Sequence, residues 1–148
     1  MGVEFTIPGP PQGKARPKVT RTKNGFSHTY TPDKTVAYEE LVRQRFRQAW
    51  KQQGIPFPGT IPVRVIITAY FQPPKSAGQT KRADMLAGIC KPTKRPDVDN
   101  IIKIVLDALN GFAWHDDAQV TTVYVLKTYT DDEPHVKVSL SADQDLPY

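Results

Sequence analysis

From Val63 to Phe71 every second position is apolar: Val63, Val65, Ile67, Ala69 and Phe71 alternate with Arg64, Ile66, Thr68 and Tyr70. A period of two puts the first set on one face of a strand, and a face that is apolar throughout is stable only against a core. The chain must therefore build a sheet with at least one covered side. Two segments have the periodicity to cover it. Thr31-Pro32-Asp33 supplies a cap candidate, a proline suited to a first helical turn and an early acid. Tyr38, Leu41, Val42, Phe46, Ala49 and Trp50 then recur at three- and four-residue spacing, which predicts a helix to about Gln52. Ile102, Val105, Leu106 and Leu109 predict a second helix, with Asp99 as its cap and Gly111 as its stop.

The remaining strand signals are Val3 to Ile7, a short piece at Phe26 to Tyr30, Ala118 to Thr128, and a last strand facing inward with Val136, Val138 and Leu140 after a turn at Asp131 to Pro134. Lys81 to Leu86 has the makings of a short helix, and the tail from Ala142 reads as frayed. The order strand, helix, strand, helix, strand, strand gives an α+β fold with a mixed or antiparallel sheet and helices packed on one face. At 148 residues it is expected to form one domain over 1–148.

Several function classes drop out early. No apolar run approaches the roughly 20 residues needed to cross a bilayer, and no signal pattern opens the chain, so the expectation is a cytoplasmic protein without membrane contact. One cysteine, Cys90, forms no internal disulfide, and with three scattered histidines it makes no zinc set.

Charge is distributed unevenly. Five acids and one base lie between Asp97 and Asp117, net −4 in a chain of +5, so the rest carries +9. Lys14, Arg16, Lys18, Arg21 and Lys23 fall in a stretch with no acid between Glu4 and Asp33, which reads as a loop or loose hairpin. Pro73 to Pro96 holds six bases, Lys91, Lys94 and Arg95 among them, against Asp84 alone. A polyanion would be drawn to the basic surface and repelled by the acidic island unless cations neutralised it. That conflict is the signature of metal-dependent chemistry on nucleic acid.

The island has a readable geometry. Pro96 keeps Arg95 out of the helical region, so the chain arrives extended, and Asp97 and Asp99 are expected on one side roughly 6 to 7 Å apart. Asp99, Lys103 and Asp107, four residues apart, form a polar stripe opposite Ile102, Leu106 and Leu109. Asp116 and Asp117 end the following loop, where either can swing back to complete a three-carboxylate site. Hard oxygen ligands of this kind suit Mg²⁺, with Mn²⁺ as a substitute, far better than zinc. Each residue also has an ordinary use: Asp99 as a cap, Lys103 as an i,i+4 partner of an acid, Asp116 and Asp117 as turn formers, His115 as a surface histidine, and Trp114 and Phe112 as packing under the loop. Only the combination argues for a site.

The run Pro96-Asp97-Val98-Asp99-Asn100 with Lys103, Asp107-Ala108-Leu109 and Asp116-Asp117-Ala118-Gln119-Val120 resembles the signature of the RusA-type Holliday-junction resolvases, a family often carried by bacterial prophages. The resemblance covers about Pro96 to Val120, and more weakly the Pro8 to Pro11 opening and the helix after it. It implies a homodimeric, Mg²⁺-dependent endodeoxyribonuclease, in a bacterial or phage-infected cell, that resolves four-way junctions in recombination and repair. It assigns metal binding to Asp97, Asp99 and Asp117, the second acid of its pair, and a catalytic role to Lys103. Lys14, Arg16, Lys18, Lys91, Lys94 and Arg95 are the DNA-binding candidates. The basic stretches at Lys14 to Lys23 and Pro73 to Pro96 are longer than in compact members. Two other readings compete. A metal-dependent transferase using Asp-x-Asp would want a glycine-rich strand-to-helix turn, which is missing, and a non-catalytic phage DNA-binding module leaves the acidic island unexplained.

Overall fold

The alternating strands meet in register. In the computed structural model, which describes residues 2–144, β1 (Gly2–Pro8), β4 (Val63–Phe71), β5 (Val120–Tyr129) and β6 (His135–Ala142) form one sheet in the order β1-β6-β4-β5. β6 lies antiparallel to both β1 and β4, while β4 and β5 are parallel, so the sheet is mixed. Its pairing lines up the apolar positions across strands. Val3, Leu140, Val65 and Val123 form one row, and Phe5, Val138, Ile67 and Val125 the next. A one-residue slip of any strand would turn its apolar set to water.

Helices α1 (Asp33–Ala49) and α3 (Val98–Leu109) cover the buried face. α1 buries Thr35, Tyr38, Val42 and Phe46, and Phe46 meets Phe5 edge-on with ring centroids 6.1 Å apart. α3 buries Ile101, Ile104, Val105 and Ala108 in the centre of the core. The other sheet face stays open and exposes Ile66, Tyr124 and Leu126. Helix α2 (Gln79–Leu86) sits in the basic excursion and buries Met85.

Several boundaries differ from the sequence reading. α1 starts at Asp33 with Pro32 as its cap, because the Pro32 carbonyl accepts the first helical bonds, and it ends at Ala49, where Trp50 turns extended and its indole N–H bonds the Gly54 carbonyl at 3.0 Å. α3 is capped by Asp97, not Asp99. The basic stretch, by contrast, takes the hairpin form of the two expected, with β2 (Lys18–Arg21) paired to β3 (Ser27–Tyr30). A short 3-10 turn, Asp117–Gln119, replaces the first residues expected in β5.

Where a frayed tail from Ala142 is expected, the chain is held in place as far as Asp143, and the rest of that tail, from 145 on, lies outside the described residues. Asp143 donates its backbone N–H to the Pro62 carbonyl at 2.7 Å, and its carboxylate accepts from the Thr121 and Thr122 hydroxyls, both at 2.6 Å, and pairs with Arg64 at 2.7 Å. Those hydroxyls first, then Arg64, hold the Asp143 pKa below its ordinary value. A depressed carboxylate pKa contributes stability above the unfolded value and loses it as pH falls through the folded one. Asp143→Ala is therefore expected to lower the melting temperature at pH 7, and the gap from the parent should close as pH drops below about 3.9. Thermal melts of both proteins from pH 7 to pH 2 check this; a gap that stays constant with pH would contradict it.

Candidate active site

After β1, the turn Pro8 to Pro11 sends the chain across the start of α3. Lys14 donates its backbone N–H to the Asn100 carbonyl at 2.9 Å, and Gly13 passes so close that a Cβ there would lie 2.8 Å from Asn100 Cβ and 3.0 Å from Pro96 Cβ. Only glycine permits that approach. The Lys14 ammonium then reaches between the helices, pairing with Glu39 of α1 and, at 3.2 Å, with Asp107 of α3. Burial opposes its charge, but hydrogen bonds and attraction from Glu39 and Asp107 outweigh burial and raise its pKa. Tyr38, hydrogen-bonded to the backbone of Gln12, has its hydroxyl pKa pushed up by burial.

The same crossing segment walls a groove of about 990 Å³. Arg16, Lys18, Lys34 and Arg95 line it, and Asp97 and Asn100 stand on the α3 side. Lys34 was not singled out from sequence, since an exposed lysine in a first helical turn reads as a solvated residue; its only clue is position, directly after a stretch free of acids. The other basic candidates separate. Lys94 lies over the Phe71 ring at 5.5 Å, where Lys127 joins it at 5.4 Å and bonds the Lys94 carbonyl, while Lys91 stays exposed.

The carboxylates are strung along α3 instead of gathered. Asp97 caps the helix by backbone alone, its side chain making no cap hydrogen bond, and Asp99 stands exposed in the first turn. The extended Asp-x-Asp geometry thus becomes a cap followed by helix. Lys103 is exposed one turn on, and among the described residues it has no ion pair: Asp107 is taken by Lys14. Asp117 lies elsewhere, close enough to Asp107 and Asp116 to feel their charge. Asp107 is about 12 Å of helix rise beyond Asp99. Asp117 accepts the Trp114 indole N–H at 2.8 Å; burial first, then Asp107 and Asp116, raise its pKa against that bond. Its neighbour Asp116 is already used, accepting from the Ala118 N–H to cap the 3-10 turn. Trp114 is fully buried, whereas Phe112 is partly exposed beneath Arg43 and Arg47.

Among the described residues, no three acid, histidine or cysteine side chains stand close enough to share a metal ion. A hard divalent cation such as Mg²⁺ does not need three. It binds through one or two carboxylates, waters and substrate phosphate. Asp97 and Asp99, with carboxylates not spent on the helix and a basic groove beside them, fit that donor set; Asp117 does not join them within one chain.

Lys14, Arg16 and Lys18 divide into two roles on this geometry. Arg16→Ala and Lys18→Ala are each expected to lower the slope of log K against log salt for DNA binding by about 0.9. Lys14→Met should lower the melting temperature, by stranding Glu39 and Asp107, and leave the slope unchanged. Salt titrations of binding together with thermal melts separate the two; a reduced slope in Lys14→Met would place it on the DNA.

An α+β domain with a basic groove beside an acidic helix start is an arrangement that would suit the phosphates of a polyanion. Comparison with known sequences narrows this reading. The family described as endodeoxyribonuclease RusA matches residues 8–141, and the chain belongs to that family. Among curated relatives, the uncharacterized protein YqaN of Bacillus subtilis (strain 168) is 34% identical over 140 residues, covering 93% of this chain and 94% of the relative.

Proposed function

We propose that this protein is a Mg²⁺-dependent endodeoxyribonuclease that resolves four-way DNA junctions as a homodimer. The observation that carries this reading is the basic groove ending on Asp97 at the start of α3, in a member of the RusA family. Arg16, Lys18, Lys34 and Arg95 would grip the DNA backbone and lead a phosphate to Asp97 and Asp99. Those two carboxylates would hold the ion, which when bound lowers the pKa of an attacking water and offsets charge on the phosphate. Lys103, one turn along and free of an acid partner among the described residues, would steady negative charge developing on the scissile group. Asp117 is the acid of its pair that the family resemblance assigns to the site. Asp116 is committed to a cap, while Asp117 spends one carboxylate oxygen on the Trp114 indole and keeps the other, which supports that choice.

The dimer is supported by the open sheet face. Ile66 and Tyr124 are cross-strand neighbours with Leu126 beside them, an exposed apolar group on the face of the sheet that no helix covers. Two incisions at symmetry-related strands need two copies of a chain that carries one such cluster, and two-fold pairs are the commonest closed assemblies.

Asp97→Asn and Asp99→Asn are expected to reduce cleavage of a synthetic four-way junction to background while binding is kept or tightened, because a metal ligand is lost and repulsion of phosphate is relieved. Asp117→Asn should do the same if the family's assignment of that acid to the site holds in the dimer. Asp116→Asn should be milder. Cleavage and gel-shift series with Mg²⁺ and with EDTA test this, and full activity in the first three variants would end the metal-site reading. Sedimentation should show a dimer, weakened by Tyr124→Glu with Leu126→Glu. On a supercoiled cruciform plasmid, paired cutting should give linear product directly; a monomer that accumulates nicked circles would exclude the dimer.

A further inference from the structure

The β2–β3 hairpin stands apart from the core. Every residue from 16 to 30 is exposed, including Val19 at 62% and Phe26 at 71%. An isolated two-stranded hairpin is marginal in water, and apolar side chains left on it stabilise nothing in the free protein. Its register sorts the side chains. Lys18 faces Tyr30 and Thr20 faces His28, and the Thr22 N–H bonds the Phe26 carbonyl to continue the ladder toward the turn at Gly25. With a period of two, Phe26, His28 and Tyr30 therefore share one face with Lys18, Thr20 and Thr22, while Val19 and Arg21 point the other way. Lys18 also lines the groove that ends at Asp97. The row of three rings thus begins where the groove wall stops, and no acid lies anywhere between Glu4 and Asp33.

We propose that this hairpin face is a base-stacking arm that reads the branch point of DNA. The inference rests on the nuclease reading above and adds the element that distinguishes a junction from a duplex. In a duplex the flat faces of the bases are stacked on one another, so an aromatic row gains little there. At a branch point pairing and stacking are interrupted, and Phe26, His28 and Tyr30 offer surfaces on which an unstacked base can lie. Such stacking is tolerant of sequence, because every base has a π-face. Arg21 and Lys23 add attraction for the backbone that does not discriminate between DNA forms.

The test measures binding by fluorescence anisotropy in EDTA, so that hydrolysis plays no part, using a four-way junction and a linear duplex of equal length. Phe26→Ala is expected to weaken junction binding roughly tenfold, as loss of one stacked base does, while duplex binding is unchanged. Phe26→Leu, which keeps apolar bulk without a ring, should behave like Phe26→Ala, and Phe26→Trp should restore the parent's preference. Arg21→Gln should weaken both DNAs equally. Because these side chains are exposed, melting temperatures should not move. A parent protein that prefers junctions while Phe26→Ala keeps that preference would overturn the stacking arm alone; a parent with no junction preference would remove both this inference and the junction-resolving reading. Equal losses on junction and duplex in Phe26→Ala would likewise overturn it, as the arm would then bind without reading branches.

Discussion

The parallel pairing of β4 with β5 governs the rest of the molecule. Antiparallel neighbours can be joined by a short turn, but parallel ones need a crossover that carries the chain back to the same end. Here that crossover is the stretch from Gln72 to Gln119, and its buried element is α3. Because α3 returns the chain along the sheet, its start and its end lie at opposite ends of the crossover. Asp97 and Asp99 take one, and Asp107 with Asp117 take the other. The separation of the acids follows from the topology.

A second constraint fixes the groove. The segment after β1 must cross the start of α3, and it does so on a residue without a side chain, Gly13, with Pro96 and Asn100 beneath it. Lys14 then ties the crossing chain to both helices through Glu39 and Asp107. Removing one partner from such a partly buried group leaves uncompensated charge, which costs more than an exposed ion pair contributes. The basic wall and the carboxylates of the site are thus joined by one lysine that spends its own charge on structure.

That arrangement also resolves the charge conflict along the chain. Beyond the end of β1, the acid-free stretch up to residue 32 folds into the groove wall and the exposed hairpin, so its positive charge is concentrated on one side of the molecule, along the groove and the hairpin. The acids of α3 stand beside it instead of being cancelled by it, with Asp107 the exception.

The strands were legible because one side of each is buried: the two-residue period at Val3 to Ile7, Val63 to Phe71 and Val136 to Leu140 is imposed by a core, so it reappears as pairing rows. α1 and α3 were legible for the same reason at a period near 3.6, and local chemistry marked their ends to within a few residues. The motif from Pro96 to Val120 identified the family without any coordinates. What the sequence could not carry was anything set by contacts between distant segments. Whether Lys14 faces DNA or Glu39, whether Lys34 reaches the groove, whether Asp143 frays or pins β4 and β5, and which end of α3 meets Asp117 are all decided by strand order. Strand order depends on long-range packing, which leaves no periodic trace in the chain itself.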